Sequence, residues 1–232
     1  MSSPALPVVP NGELHLVDDV PAAFVDLVAA EFAAASERAD DRFRVALSGG
    51  ETARQCYELL ARTTAIDWAS VDLFLGDERC VPADDPASNQ RLIREALVER
   101  IGNAARLNPI ICDQLGSYAA LLESQPPLDL VHLGLGPDGH TASLFPGSVA
   151  LDAPLGSLVV RTEDPSGRNP FERATLTFEA IARSRLVVFT VAGSSKHEAL
   201  ARVLAGEDLP AARVRAELVL WLCDPEALDG AS

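Results

Sequence analysis

The sequence predicts an α/β protein in which helices flank a mainly parallel sheet. Short β-branched or leucine-rich runs alternate with longer helical patterns, and strands separated by helices imply crossover connections between parallel strands. Some runs, such as LVVFTV at Leu186–Val191, are apolar throughout and therefore fit burial on both faces of a sheet. With 232 residues, of which 48% are hydrophobic, the chain can bury a sizeable core.

The individual elements follow from these patterns. Strands are predicted over residues 13–17, 43–47, 71–75, 128–133, 158–161, 174–178, 186–191 and 218–222. Helices are predicted over residues 20–38, 52–62, 89–101, 115–124 and 196–204. No Pro/Gly/Ser-rich linker divides the chain, so residues 1–232 are expected to form a single domain, with residues 1–12 as a loose N-terminal arm.

The net charge of −15 argues against a nucleic-acid partner or an anionic membrane surface, because both require a basic footprint. An anionic substrate would need a few local cations that outweigh the distant, screened charges. Cys56, Cys80, Cys112 and Cys223 are scattered without a C-x-x-C pair, so neither a disulfide nor a zinc framework is expected. The chain also shows no signal-peptide pattern and no apolar run long enough for a membrane span. A cytoplasmic location is therefore expected.

Candidate site residues follow the predicted strands, since ligands of open parallel sheets bind beyond the carboxyl ends of the strands. In ALSGGET, Gly49 and Gly50 allow close backbone approach, and Ser48 and Thr52 add hydroxyls in front of a helix N-terminus. That combination suits a phosphate. The alternative is an ordinary turn with Thr52 as a helix cap, and Glu51 inside the loop counts against the phosphate.

A second strand end carries FLGDERCVP. Asp77 and Arg79 are two residues apart, so in extended chain they project to one side, where they could orient each other and a polar substrate. The alternative is a surface ion pair that contributes little.

The stretch GLGPDGHTASLFPG, residues 134–147, contains the G-x-G-x-x-G spacing of a dinucleotide-binding turn. A true fingerprint needs an uninterrupted helix after the turn, but Pro146, Gly147 and Pro154 break the crossover. The spacing therefore does not indicate a nucleotide cofactor.

Within the same stretch, His140 lies in a turn just beyond a buried strand. A histidine can take a proton from water, and Asp138 could fix its tautomer or orientation. The alternative is a turn histidine that caps nearby backbone groups. His132, in the middle of the preceding strand, is predicted to pack in the core.

Two cations lie further along the chain. Arg173 stands at the entry to a strand, and Lys196 follows another strand at the start of a helix. With Arg79 and the loop at Ser48, they would form the local positive site that an acidic protein needs for an anionic substrate.

From about residue 14 to residue 222, the chain resembles the 6-phosphogluconolactonase family, which shares a superfamily with glucosamine-6-phosphate deaminase. The motifs that carry the resemblance are LSGGETA, GDER, SN, GLGPDGHTASLFPG, RATLTF and GSSKHEAL, in the order and spacing of the family. The resemblance implies a modified doubly wound (Rossmann-like) α/β fold. It also implies hydrolysis of 6-phospho-D-glucono-1,5-lactone to 6-phospho-D-gluconate, the second step of the oxidative pentose phosphate pathway.

The resemblance also implies roles for single residues. His140 is expected to be the base that activates water, with Asp77 and Asp138 as its polar supports, and Arg79 is expected in the pocket near the phosphate or the sugar ring. The implied phosphate ligands are Ser48, Gly49, Gly50, Thr52, Arg173 and Lys196. No cofactor, no metal and no covalent nucleophile are expected, because the histidines are dispersed and neither G-x-S-x-G nor S-x-x-K occurs. The expected partner is a phosphorylated sugar lactone, and the expected state is a monomer or weak homodimer.

The chain departs from the family pattern at three positions. Glu51 and Ala53 replace the serine and proline of the family's S-G-G-S-T-P loop, and Cys80 stands where an aromatic residue is common. A deaminase would continue its histidine motif into Asn-Glu-Pro and would carry Asp-Glu-Tyr, whereas this chain has SLFPG and DERC. Because a fold does not fix a function, a non-catalytic sugar-phosphate sensor and a nucleotide-dependent oxidoreductase are weighed beside the lactonase and the deaminase.

Overall fold

The computed structural model describes residues 7–38 and 42–229. The strands within these residues are β1 (Glu13–Leu16), β2 (Phe43–Leu47), β3 (Val71–Leu75), β4 (Asp77–Arg79), β5 (Arg106–Asn108), β6 (Leu130–Leu133), β7 (Val159–Thr162), β8 (Arg173–Leu176), β9 (Leu186–Val191) and β10 (Leu218–Cys223). Seven of them form one sheet in the order β1-β10-β9-β6-β2-β3-β5, and every neighbouring pair is parallel. The predicted parallel α/β fold is confirmed.

Every residue of β2, β3, β6 and β9 is buried, which explains why these strands are mainly apolar rather than alternating. Each of them contains one buried polar residue: Arg44, Asp72, His132 and Thr190 respectively. The helices of the described residues are α1 (Val20–Ser36), α2 (Glu51–Leu60), α3 (Asn89–Ile93), α4 (Leu115–Ser124), α5 (Phe178–Ala182), α6 (His197–Leu204), α7 (Pro210–Arg213) and α8 (Pro225–Asp229). The sequence predicts one regular helix over residues 89–101, whereas in the structure α3 continues into a π-helical turn at Arg94–Val98.

A second, three-stranded antiparallel sheet has the order β4-β8-β7. The sequence pattern does not predict it, because β4 has only three residues and shows no periodicity. Gly76 joins the two sheets: its N–H donates to Leu47 O of the large sheet, and its carbonyl accepts from Leu176 N of the small one, each at 2.8 Å. The small sheet places Arg79 directly opposite Arg173.

The expectation of no disulfide was wrong. Cys80, immediately after β4, is bonded to Cys112, and their Cα atoms are 5.6 Å apart. The spacing in sequence carries no signal because the two residues are 32 positions apart and are brought together only by the fold. Cys56 and Cys223 are buried free thiols, and burial raises the pKa of each to about 12.

Residues 1–12 are predicted to form a loose arm, but the end of this segment, at Val9 and Asn11, is fixed to the core. Val9 is buried, and Asn11 Nδ2 donates to Ala211 O at 2.9 Å and to Val214 O at 3.1 Å. Residues 1–6 of that prediction lie outside the described residues. None of the helices in the described part of the chain combines the length and apolarity needed to cross a bilayer.

Candidate active site

A cleft of about 220 Å³ opens at the carboxyl edge of the large sheet, where the loops after β2, β6 and β9 meet the small sheet. It gathers nine of the ten candidate residues. They are Ser48, Gly49, Gly50, Thr52, Asp77, Arg79, His140, Arg173 and Lys196. The tenth, Asp138, does not line the cleft but forms a hydrogen bond with His140.

His140 and Asp138 form a hydrogen-bonded pair. His140 Nδ1 lies 2.5 Å from Asp138 Oδ1, and the His140 backbone N–H donates to the same oxygen at 3.1 Å. Burial raises the pKa of Asp138, but the hydrogen bond and charge of His140 outweigh it, so that the pKa is lowered overall. Because the carboxylate accepts the Nδ1 proton, a neutral imidazole leaves Nε2 as an acceptor. Among the described residues, no protein group bonds Nε2.

The glycines of the turn make room for this histidine. A Cβ on Gly136 would overlap the His140 ring, and Gly139 has φ of +85°. Gly136 N–H donates to His140 O at 2.9 Å and closes the turn. After β6 the next helical element is a single 3₁₀ turn, Val149–Asp152. The glycine spacing therefore serves a tight turn beneath an imidazole, and the dinucleotide interpretation does not hold.

Asp77 does not pair with His140, contrary to the role that the resemblance implied. Its Oδ2 accepts from Ser143 Oγ at 2.5 Å and lies 3.7 Å from Arg173 Nη1, and its Oδ1 accepts from Asn89 Nδ2 at 3.0 Å. Asp77 is almost fully buried and contacts the guanidinium of Arg173 rather than the imidazole of His140. Ser143 and Asn89 were not predicted as site residues, although both fall inside the motifs that carried the resemblance.

Arg173 and Arg79 face each other across the β4–β8 pair, and like charges in this position repel. Burial lowers the pKa of Arg173, and Asp77 opposes this shift. Arg173 Nη2 makes only a 3.4 Å bond to Asn169 Oδ1, and the buried Nε atoms of both arginines have no partner within the described residues. Buried donors in folded proteins normally have partners, so the pair is suited to hold an anion.

The base and the cations share one wall of the cleft. The Phe145 ring lies 4.8 Å from the His140 ring, centroid to centroid, and the Arg173 guanidinium carbon lies 5.8 Å from the Phe145 centroid. Lys196 Nζ donates to Leu135 O at 2.8 Å, in the turn that carries His140, and burial lowers the pKa of this lysine. His140, Arg173 and Lys196 therefore line the same cleft.

The loop after β2 presents backbone rather than side chains. Ser48 Oγ donates to His132 O at 2.7 Å, so its hydroxyl is already used inside the protein. Gly50, with φ of +109°, precedes α2, and no side chain caps the first N–H groups of that helix. A Cβ on Gly49 would overlap the Asn89 side chain, so any larger residue there would have to displace Asn89. Free N–H groups at a helix N-terminus favour anions.

The two polar side chains at the start of α2 leave these N–H groups open. Thr52 does not cap the helix, which excludes an ordinary capped turn. Glu51 is exposed and its Oε1 accepts from Gln55 Nε2 at 3.4 Å, so its carboxylate extends along the helix surface. The residues of 7–38 and 42–229 contain no group of three His, Cys, Asp or Glu side chains arranged as metal ligands.

A parallel α/β fold with a histidine–aspartate pair and buried cations in one cleft at its carboxyl edge has the features of a site for a small anionic molecule. The sequence matches the family described as glucosamine-6-phosphate isomerases/6-phosphogluconolactonase over residues 17–221. The chain belongs to this family.

Similar proteins agree with this assignment. The chain is 36% identical over 203 residues to a 6-phosphogluconolactonase of Synechocystis sp., covering 79% of this chain and 82% of that protein. It is 36% identical over 212 residues to a 6-phosphogluconolactonase of Mycobacterium leprae, covering 82% and 85% respectively. The crystal structure of a 6-phosphogluconolactonase from Thermotoga maritima superposes with a TM-score of 0.82 at 31% identity, covering 92% of this chain and 100% of that one.

Proposed function

We propose that this chain hydrolyses 6-phospho-D-glucono-1,5-lactone to 6-phospho-D-gluconate, with His140 as the general base. The similar proteins described above are named 6-phosphogluconolactonases. The observation that carries the role of His140 is its pairing through Nδ1 with Asp138, while Nε2 has no protein partner among the described residues and the ring lines the cation-bearing cleft.

In the proposed mechanism, His140 Nε2 removes a proton from a water molecule as that water attacks the lactone carbonyl carbon. The carbonyl oxygen becomes an oxyanion, met by backbone N–H groups of the glycine-rich turn or by an arginine. When the intermediate collapses, the bond between the carbonyl carbon and the ring oxygen breaks, and the protonated imidazole donates its proton to that oxygen. The products are the carboxylic acid and a free hydroxyl.

The phosphate of the substrate would occupy the cationic end of the cleft. Arg173, Lys196 and the backbone N–H groups that follow Ser48 are its proposed ligands, and binding there orients the lactone against His140. Asp77 holds Arg173 in place through their 3.7 Å contact. Arg79 lies opposite Arg173, which supports a role for Arg79 in binding either the phosphate or the oxyanion.

We also propose that residues 1–232 form one catalytic domain, because the buried apolar residues of the described chain form one large cluster. The protein would act as a monomer or weak homodimer in the cytoplasm. In that compartment the Cys80–Cys112 bond would be exposed to reduction.

The site residues favour a lactonase over a deaminase and over a sensor. The residues that replace the deaminase's Asn-Glu-Pro segment include Leu144 and Phe145, which are fully buried apolar side chains. A carboxylate that could assist ring opening is absent from that segment of the chain. A sensor would not require the hydrogen bond that leaves His140 Nε2 as an acceptor.

The test is continuous hydrolysis of 6-phosphogluconolactone, corrected for spontaneous opening, beside the same assay with unphosphorylated gluconolactone. The wild-type chain should prefer the phosphorylated substrate, and His140→Ala should lower kcat by about 10²- to 10⁴-fold, the usual size of a general-base effect. His15→Ala, which alters an exposed histidine of β1, is the matched control and should keep full activity. A His140→Ala variant with normal turnover would refute the role of His140.

A further inference from the structure

A chain of buried polar side chains lies at the floor of the cleft and connects β9, β6, α2 and the loop after β2. Thr190 Oγ1 of β9 lies 2.8 Å from Nε2 of His132 in β6, whose Nδ1 lies 2.8 Å from the hydroxyl of Tyr57 in α2. The Tyr57 hydroxyl accepts from Ser48 N at 2.9 Å and lies 2.9 Å from Ser48 O. Apolar side chains would fill this space at lower cost, because each of these polar groups must be desolvated.

The protonation states fix the direction of these hydrogen bonds. Burial lowers the pKa of His132 to about 3, so the imidazole is neutral and has one donor and one acceptor. Burial also raises the pKa of Tyr57 well above its usual value, so the phenol keeps its single proton. Every group is satisfied if Thr190 donates to His132 Nε2, His132 Nδ1 donates to Tyr57, and Tyr57 donates to Ser48 O.

All of these bonds converge on Ser48. Its N–H and C=O are both held by Tyr57, and its Oγ donates to the carbonyl of His132 itself. Ser48 is the last residue before Gly49 and Gly50, which have no side chains to position them. The orientation of the glycine N–H groups therefore depends on how firmly Ser48 is held.

We propose that Tyr57, His132 and Thr190 are positioning residues, which fix Ser48 so that the following backbone N–H groups are aimed at the phosphate of the substrate. The inference rests on the proposed function, in which this loop binds phosphate. It predicts an effect on recognition of the phosphate, with little effect on the chemistry at His140.

The test is Tyr57→Phe, which removes one oxygen and keeps the ring. The KM for 6-phosphogluconolactone should rise about tenfold, the equivalent of one or two lost hydrogen bonds to the loop, while kcat stays within about threefold because no transition-state contact is removed. The KM for unphosphorylated gluconolactone should not change. Thr190→Val, two steps further from the loop because His132 lies between Thr190 and Tyr57, should shift the KM in the same direction by about threefold.

Tyr118→Phe is the matched control. Tyr118 is a buried tyrosine whose hydroxyl accepts from Leu75 N at 2.9 Å and donates to Leu75 O at 2.8 Å, the same arrangement as at Ser48 but on a neighbouring strand. It should lose comparable stability in urea denaturation and leave the KM unchanged. Equal KM shifts in the two variants would mean a general loss of stability, and the positioning inference would be overturned.

Calorimetric titration with inorganic phosphate separates this inference from the proposed function. Weaker phosphate binding by Tyr57→Phe than by wild type supports positioning, whether or not the chain hydrolyses the lactone. Strong lactonase activity with an unchanged KM and unchanged phosphate affinity in Tyr57→Phe overturns the positioning inference alone. Absence of phosphate binding by the wild-type chain overturns it as well.

Discussion

Opening the Cys80–Cys112 disulfide should destabilise the protein without switching off its chemistry. The bond joins residues 32 positions apart. In the chain-entropy treatment, a cross-link of this span removes enough freedom from the unfolded state to stabilise the fold by about 3 to 4 kcal/mol at 25 °C. Typical domains have a total stability of about 5–15 kcal/mol, so the bond accounts for a large share.

The activity should survive because the strand before Cys80 is held by other bonds. Residues Asp77 to Arg79 pair with β8, and Cys80 N–H donates to Glu172 O at 2.9 Å. Reduction therefore leaves Arg79 opposite Arg173. At a temperature well below unfolding, the specific activity of the reduced protein should stay within about twofold of the oxidised value, since no group that contacts substrate is removed.

The assay is urea denaturation of the wild-type chain with and without a reducing agent, with free thiols counted in the unfolded protein. The oxidised chain should show only Cys56 and Cys223 as free thiols. Cys112→Ser should have the stability of the reduced wild type and should not respond to the reducing agent. If the thiol count rises on reduction but the free energy of unfolding changes by less than about 0.5 kcal/mol, the entropic argument is refuted.

Three further predictions concern the cleft. Arg173→Ala should raise the KM for the phosphorylated lactone by about tenfold or more, because it removes a charged ligand of the phosphate. The KM for gluconolactone should rise much less. Equal increases in the two KM values in steady-state assays would mean that the phosphate binds elsewhere. Burial lowers the pKa of Lys196, so this lysine loses its charge at a lower pH than ordinary lysines do. The affinity for 6-phosphogluconate, measured by calorimetry, should therefore begin to fall with rising pH before ordinary lysines titrate. Lys196→Met should abolish that pH dependence. Gly136→Ala should lower kcat at least about 100-fold, because the new Cβ would overlap the His140 ring and displace the general base. Gly134→Ala is the control and should remain active, since nothing lies within 4 Å of a Cβ at that position. Normal turnover in Gly136→Ala would contradict the tight-turn argument.

The buried strands could be predicted from the sequence because burial on both faces leaves short, mainly apolar runs, with one polar residue each in β2, β3 and β9 (Arg44, Asp72 and Thr190). The predicted bounds of 43–47, 71–75 and 186–191 coincide with those of β2, β3 and β9. The small antiparallel sheet could not be predicted in the same way. The strand Asp77–Arg79 has three residues with charged side chains, and its pairing with β8 depends on contacts about a hundred residues away along the chain.

In the candidate site as well, a contact between residues close in sequence could be predicted, whereas contacts between residues far apart in sequence could not. Asp138 and His140 are two residues apart, and one aspartate oxygen bonds both the backbone N–H and the ring of the histidine. Such turns form from local geometry, so the motif itself predicts this pairing. Asp77 had an equally plausible local partner in Arg79, but the fold gives it Ser143 and Arg173 instead.

The reason for that difference is the register of the small sheet. Asp77 and Arg79 do project to one side of an extended strand, as the spacing predicts, but the antiparallel neighbour places Thr175 opposite Asp77 and Arg173 opposite Arg79. The Arg173 side chain contacts the Asp77 carboxylate at 3.7 Å, while Arg79 donates to Ala87 O at 2.5 Å. An acid two residues from a cation therefore predicts only that both face the cleft; which cation the acid holds is decided by the strand that pairs with it. If Asp77→Asn altered the pH dependence of kcat rather than the KM for the phosphorylated lactone, this assignment of Asp77 to the phosphate end of the cleft would be wrong.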